Sequence, residues 1–277
     1  MGSAKRGSFV TMRVFSSLVV ASLLAVACAP PGIDDGDKAP EGLVRGVSWQ
    51  ITLVEPPTDL DLDVGVWDLD LVDVPASTMA TLQERGIKVI CYFSAGTFEP
   101  GRPDEAAFPA RVIGNGYEDE AFAEERYLDV ADPVVLDIMK ERLDLAVTKG
   151  CDGVDPDNVD LPTHDTGFEI STDEMRVFNR SLIAEAHDRG LAIGLKNFLE
   201  ELDEIADEYD FAVNEECVAF DECDAYADNL LAAGKPVFHI EYADPADVAD
   251  VCAVTKPLGL STVIKNLILD DDVTFCP

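Results

Sequence analysis

The chain has 277 residues, 47% of them hydrophobic and 27% charged, with 20 Lys+Arg against 55 Asp+Glu and a formal net charge of −35. The apolar fraction is ordinary for a globular protein, and the length suffices for one large core or two small ones. Nucleic acid and anionic membrane surfaces are excluded as main partners, because either needs a basic face that this composition cannot furnish.

Residues 1–27 read as a targeting segment. Lys5, Arg6 and Arg13 make a positive start, and the apolar run Val14 to Ala27 is short for a bilayer span. It ends in Leu24-Ala25-Val26-Ala27-Cys28, which resembles a bacterial lipobox and implies cleavage before Cys28 and lipidation of its thiol. Simple secretion with cleavage after small residues is the alternative, and both routes place the protein outside the cytoplasm. Residues 28–42, rich in Pro, Gly and Asp, read as a flexible tether, so the folded domain is expected over 43–277.

From there, strand-like runs recur to the end of the chain. They are Leu43–Trp49, Val64–Leu69, Ile87–Phe93, Gly153–Asp155, Leu191–Leu195, Phe211–Asn214, Pro236–Ile240 and Thr262–Ile264. Punctuated helices lie between several of them. Asp132-Pro133 opens one that Gly150 closes, Ser171-Thr172-Asp173-Glu174 is a capping box, and Asp244-Pro245 opens another. Eight strand–helix units in about 250 residues predict a (β/α)8 TIM barrel in one domain. An open doubly wound sheet is the runner-up, but no G-x-G-x-x-G follows an early strand. The stretch Ile51–Asp63 is too short and too broken by proline for a full helix, and Ser94–Asp132 is expected to fold over the barrel mouth.

Seven cysteines become six once Cys28 carries lipid, and an even count in an exported chain suggests disulfides. Cys217 and Cys223 can staple one loop, Cys252 and Cys276 can pin the C-terminus, and Cys91 and Cys151 fall on neighbouring strands of a barrel. A buried free thiol is the alternative for Cys91. No C-x2-C pair exists and the three histidines are scattered, so no metal is expected. Asp59-x-Asp61-x-Asp63 lacks the glycine and the closing Glu of a calcium loop. His187 falls on a helix away from the strand ends and reads as a surface residue.

Polar residues collect where the strands end, which in a barrel is where chemistry is done. Trp49, Gln50, Asp68, Tyr92, Ser94, Asp155, Asn158, Lys196, Asn197, Glu241 and Tyr242 are the candidates for contacting substrate. Several carboxylates around one cleft suit acid–base work on glycosidic bonds, where one group donates a proton and another stays ionised. The aromatic side chains suit the apolar faces of sugar rings. A ring of salt bridges that merely closes the barrel top is the structural alternative, and for Glu241 a supporting contact to Lys196 or Lys265 is as good a reading as direct contact.

Seven segments then occur in order: Trp49-Gln50, Cys91-Tyr92-Phe93-Ser94-Ala95-Gly96, Arg102-Pro103-Asp104, Gly153 to Asp160, Gly190 to Asn197, Asn214-Glu215-Glu216-Cys217 and Glu241-Tyr242. Together they closely resemble glycoside hydrolase family 114, the endo-α-1,4-polygalactosaminidases, from about Val44 to Lys265. The resemblance implies a (β/α)8 barrel that cuts α-1,4-linked galactosamine polymers within the chain, without metal or cofactor. It implies a catalytic pair after the fourth and sixth strands, which carries over to Asp157 as nucleophile and Glu215 as acid/base. Asp155 stands where Glu is common before Pro156, and Glu216 adjoins Glu215, so rival carboxylates lie close by.

The expectation is therefore an exported, lipid-anchored, monomeric hydrolase of a cationic amino-sugar polysaccharide, with a retaining mechanism. Its acidity fits steering of a cationic polymer and equally fits solvation in a saline habitat. The alternatives are a polysaccharide-binding surface lipoprotein on the same barrel, and a hydrolase of a different amino-sugar polymer.

Overall fold

The eight apolar runs form eight parallel strands: β1 (Trp49–Thr52), β2 (Val66–Asp70), β3 (Lys88–Ser94), β4 (Gly153–Asp157), β5 (Ala192–Lys196), β6 (Phe211–Glu215), β7 (Val237–Glu241) and β8 (Ser261–Ile264). Each pairs with the next in chain order, and β9 (Thr274–Phe275) adds to β8 antiparallel, giving a mixed sheet of nine strands. The sheet curls: the indole N–H of Trp49 on β1 donates to the carbonyl of Ser261 on β8 at 2.6 Å. The computed structural model describes residues 1–2, 41–118, 120–244 and 246–277. The targeting segment, Cys28, most of the tether and Pro245 lie outside the described residues. The chain divides into units 1–36 and 37–277, and the second holds every element named here.

The helices are α1 (Ala76–Glu84), α2 (Pro133–Lys149), α3 (Thr172–Asp188), α4 (Leu202–Ile205) and α5 (Val248–Leu258). The Asp132 side chain accepts from the N–H of Val134, Pro133 takes the first turn, and Gly150 ends α2 at φ 85°. Both bonds of the Ser171–Glu174 capping box form at the start of α3. Val135, Ile138, Met139, Leu143 and Ala146 of α2, with Met175, Phe178, Leu182, Ile183 and Ala186 of α3, bury one face of each helix in a large core shared with the sheet.

Three features depart from eight even units. No helix connects β1 to β2, as the prolines there foretold. Between β3 and α2 the chain builds a small antiparallel sheet from Thr97–Phe98, Ile113–Gly116 and Arg126–Leu128. After β5 and β6 the connections hold only α4 and 3-10 turns.

Two expected boundaries need correction. The first strand, expected over Leu43–Trp49, runs instead from Trp49 to Thr52, because Gly46 makes a left-handed turn at φ 77° before it. Strand β4, expected over Gly153–Asp155, continues through Pro156 to Asp157. Pairing with β3 runs unbroken to Ser94–Asp157, whereas pairing with β5 stops at Val154–Ile193. Proline has no N–H to give, and the ladder is lost on one side alone.

Alternation along the strands puts one set of side chains inside the curl. Its lower part is apolar, a second core of Trp49, Ile51, Val66, Ile90, Ala192, Phe211, Val213, Phe238, Ile240 and Val263. Continuing the same faces toward the C-terminal ends brings Asp68 and Asp70, Tyr92, Asp155 and Asp157, Lys196, Glu215 and Tyr242 into the interior. The curl is thus apolar at its base and charged at its mouth.

Candidate active site

A cavity of about 480 Å³ opens at that charged end. Asp157 from the end of β4, Lys196 from the end of β5 and Glu215 from the end of β6 meet at its floor. Lys196 is 3% exposed, and its ammonium lies 3.1 Å from Asp157 Oδ1 and 3.3 Å from Glu215 Oε2. Asp157 also accepts from the Tyr92 hydroxyl at 2.9 Å and from the N–H of Asn158 at 2.8 Å. Glu215 accepts from Asn197 Nδ2 at 3.1 Å and, through Oε1, from the Tyr242 hydroxyl. Both carboxylates are held by several donors, so their rotamers are fixed before anything binds.

Local backbone geometry sets these side chains. Asn158, Asn197 and Glu216, the residues directly after Asp157, Lys196 and Glu215, all have left-handed φ values of 59°, 49° and 62°. Asparagine tolerates that conformation better than most residues, and a run of such reversals is a mark of a functional strand end. The turn at Asn158 also explains Gly96: a Cβ there would stand 1.8 Å from the Asn158 carbonyl oxygen.

Electrostatics follow from this packing. Burial lowers the affinity of Lys196 for its proton, but Asp157, Glu215 and Asp155 together outweigh it and raise its pKa well above the usual lysine value. Burial works against ionised Glu215, yet Lys196, Tyr242 and Asn197 hold its carboxyl below the usual range. Burial and Glu215 raise the Tyr242 phenol, and burial with Asp157 raises Tyr92, so both stay neutral donors.

Of the residues expected to contact substrate, Tyr92, Asn158, Lys196, Asn197 and Tyr242 line the cavity, with Asp157 and Glu215. The others do not. Trp49 is 1% exposed at the start of its strand, packed on Phe238 in the lower core. Gln50 is buried and accepts from Lys265 Nζ at 3.2 Å. Ser94 is buried and accepts from Asn158 Nδ2 at 3.1 Å, so it supports the loop rather than facing the cavity. Asp68 and Asp155 lie one layer below the floor, both fully buried. Glu241 sits on the outer face of β7 with Val237 and His239. It partners neither Lys196 nor Lys265, but accepts from the N–H groups of Val218 and Ala219 and lies 3.0 Å from His239 Nε2. Glu216, the rival beside Glu215, does not line the cavity.

The connection Ser94–Asp132, expected over the mouth, does form the opposite wall, but its individual lining residues were not singled out as site residues in the sequence. The connection between β3 and α2 contributes Glu99, Arg102, Tyr117, Phe122 and Glu125, and the segment after β4 contributes Asp160 and His164. Arg102 donates to both oxygens of Asp70, at 3.1 and 2.7 Å, and to Glu99 at 2.7 Å. The neighbouring Asp104 accepts from Arg142 at 2.7 Å, and Arg142 donates to the Ser94 carbonyl at 2.6 Å. The Arg102-Pro103-Asp104 motif was a visible signal without an evident role, and this double clamp of the loop onto the charged mouth of the curled sheet is that role. Leu267, Ile268 and Leu269, after β8, complete an apolar rim with Leu53 and Val54.

The three expected cysteine pairs are all bonded: Cys91–Cys151, Cys217–Cys223 and Cys252–Cys276. Cys91 is therefore not a free thiol. Cys217, Cys223 and His239 lie close together, but the sulfurs are joined to each other and offer no thiolate to a metal.

The profile of glycoside-hydrolase family GH114 matches residues 35–277. Ega3 of Aspergillus fumigatus, solved in complex with galactosamine, superposes with a TM-score of 0.82 at 38% identity, over 86% of this chain and 98% of that one. The glycoside hydrolase domain of PelA from Pseudomonas aeruginosa gives a TM-score of 0.65 at 18% identity, over 82% and 98%. The α-galactosidase TtGalA of Thermus thermophilus gives 0.52 at 12%, over 82% and 58%. At those identities the last two speak for the fold alone. No curated protein matches the chain.

Proposed function

The chain belongs to glycoside-hydrolase family GH114, and from that membership we propose that it is a (β/α)8-barrel enzyme that cuts within α-1,4-linked, galactosamine-containing polysaccharide. One observation carries the reading: two carboxylates, at the ends of the strands on either side of β5, share the single buried ammonium of Lys196 at the floor of the cavity. The relative at 38% identity was solved with galactosamine bound, which supports the choice of sugar.

In this reading Asp157 attacks the anomeric carbon, the glycosidic C–O bond breaks, and Glu215 delivers a proton to the departing oxygen. Water then attacks the anomeric carbon of the glycosyl-enzyme, Glu215 takes its proton, and the bond to Asp157 breaks to release the sugar and restore the carboxylate. The free protein favours Glu215 as an anion, the form needed in that second step. A glycosidic oxygen placed against it accepts a hydrogen bond and favours the protonated form, so the proton for the first step is taken up with the substrate. The retaining course is part of the proposal: retaining enzymes set their two carboxyl groups ~5–5.5 Å apart and inverting ones ~6.5–9.5 Å, and the anomeric configuration of the first-formed product tests it.

We also infer export, with the lipobox-like Cys28 as the anchor. Three disulfides support an oxidising compartment. Product analysis by mass spectrometry tests the function: wild type should release oligomers from partly deacetylated α-1,4-polygalactosamine, and Asp157→Asn and Glu215→Gln should each lose at least ~10³-fold in rate. Full activity in either variant would remove that residue from the pair. Binding without cleavage by wild type would mean a binding protein instead.

A further inference from the structure

Six carboxylates line the cavity: Asp70, Glu99, Glu125, Asp157, Asp160 and Glu215. Asp70 and Glu99 are bonded to Arg102, Asp157 and Glu215 share Lys196, and Asp160 lies 3.7 Å from His164 Nε2. Glu125 alone has no cationic partner among the described residues. Its Oε2 accepts from the Thr97 hydroxyl at 2.6 Å, and that hydroxyl is itself held 2.5 Å from Ser94 Oγ. The charged and titratable groups that face Glu125 are Glu99, Asp157, Arg102 and Tyr92. Arg102, the one cation among them, is already committed to Asp70, Asp73 and Glu99.

A carboxylate in a water-poor pocket without a counter-ion is unstable as an anion. Burial, with Glu99 and Asp157 adding to it, accordingly pushes the Glu125 carboxyl up to about 7. A cation arriving with the substrate relieves both the burial and the repulsion. Resting on the proposed function above, which supplies an amino sugar to this cavity, we propose that Glu125 is the seat of a free primary ammonium group of the bound chain. It is the residue through which the enzyme prefers deacetylated to N-acetylated sugar. An acetamido group carries no charge and cannot take that place.

The test separates binding from turnover. Galactosamine and N-acetylgalactosamine are titrated calorimetrically into wild type, Glu125→Gln and Glu125→Asp. Wild type should bind galactosamine the tighter, and more so as pH rises through about 7. Glu125→Gln should lose ~10-fold or more for galactosamine only, together with the pH dependence. Glu125→Asp, which keeps the charge, should retain the preference and shows that the wall still folds. Equal losses for both sugars, or no loss in Glu125→Gln, would overturn the proposal. These titrations do not depend on cleavage, so a wild type that binds galactosamine through Glu125 but cuts no polymer would overturn the proposed function and leave this site standing.

Discussion

Asp68 and Asp155 are wholly buried, and none of their four carboxylate oxygens accepts from a donor. Two bare carboxylates cannot coexist there, and one shared proton resolves the contact. Burial and Asp155 raise Asp68 well above its usual value, and burial with Asp157 and Glu215 brings Asp155 to about 7 despite Lys196. The folded chain therefore holds more protons than the unfolded chain from about pH 4 to pH 7. The stabilising contribution of Asp155 is complete below the unfolded value and is lost as pH rises through about 7. Asp155→Asn should accordingly raise the urea midpoint relative to wild type at pH 8 and leave it nearly unchanged at pH 4. The same difference at both pH values would refute the shared proton. Lys196 controls the layer above. Lys196→Met should cut the rate by at least ~10² and move the basic limb of the pH–rate curve upward, because Glu215, which must be protonated to act as the acid, loses the largest influence that keeps it ionised. Lys196→Arg should keep that limb near its original place, and an unmoved limb in Lys196→Met would contradict the assignment.

The strands and long helices were legible because apolar runs, caps and a left-handed glycine are local signals. The wall built by Glu99, Arg102, Tyr117 and Glu125 was legible only as a long connection expected over the mouth, since a loop without period does not say which of its side chains turn inward. Glu241 lies between these cases. Counting in twos from Phe238 and Ile240 reaches Tyr242 and passes over Glu241, so alternation alone separates the residue that enters the cavity from the one that does not. From the outer face Glu241 instead holds the backbone of the turn that follows Glu215. Glu241→Ala leaves two partly buried N–H groups without an acceptor and should cost about 1–3 kcal/mol in urea unfolding. Amide exchange at Val218 and Ala219 should quicken with it. An unchanged midpoint would show that water replaces the carboxylate.

At the scale of the whole molecule, the three disulfides bind segments 60, 6 and 24 residues apart in sequence. Chain-entropy reasoning makes the longest loop the most stabilising, about 4 kcal/mol for Cys91–Cys151 against about 2 kcal/mol for Cys217–Cys223. Paired Cys→Ala replacements compared by urea unfolding should give that order, and a reversed order would mean that packing at the shorter bridge dominates. Cys91–Cys151 also fastens β3 to the chain two residues ahead of β4, on the unbroken side of β4.

The other side of β4 behaves differently. Beyond Val154 no ladder joins it to β5, and the two strand ends are held by Lys196 reaching across to Asp157. Local opening of a folded chain starts where few backbone bonds must break, and here that place adjoins the proposed catalytic carboxylates. Anything that bridges Asp157 and Lys196 binds only the shut form, so its affinity is converted directly into resistance of this gap to opening. Occupancy of the cavity and rigidity of the fold are then one equilibrium, readable from either end.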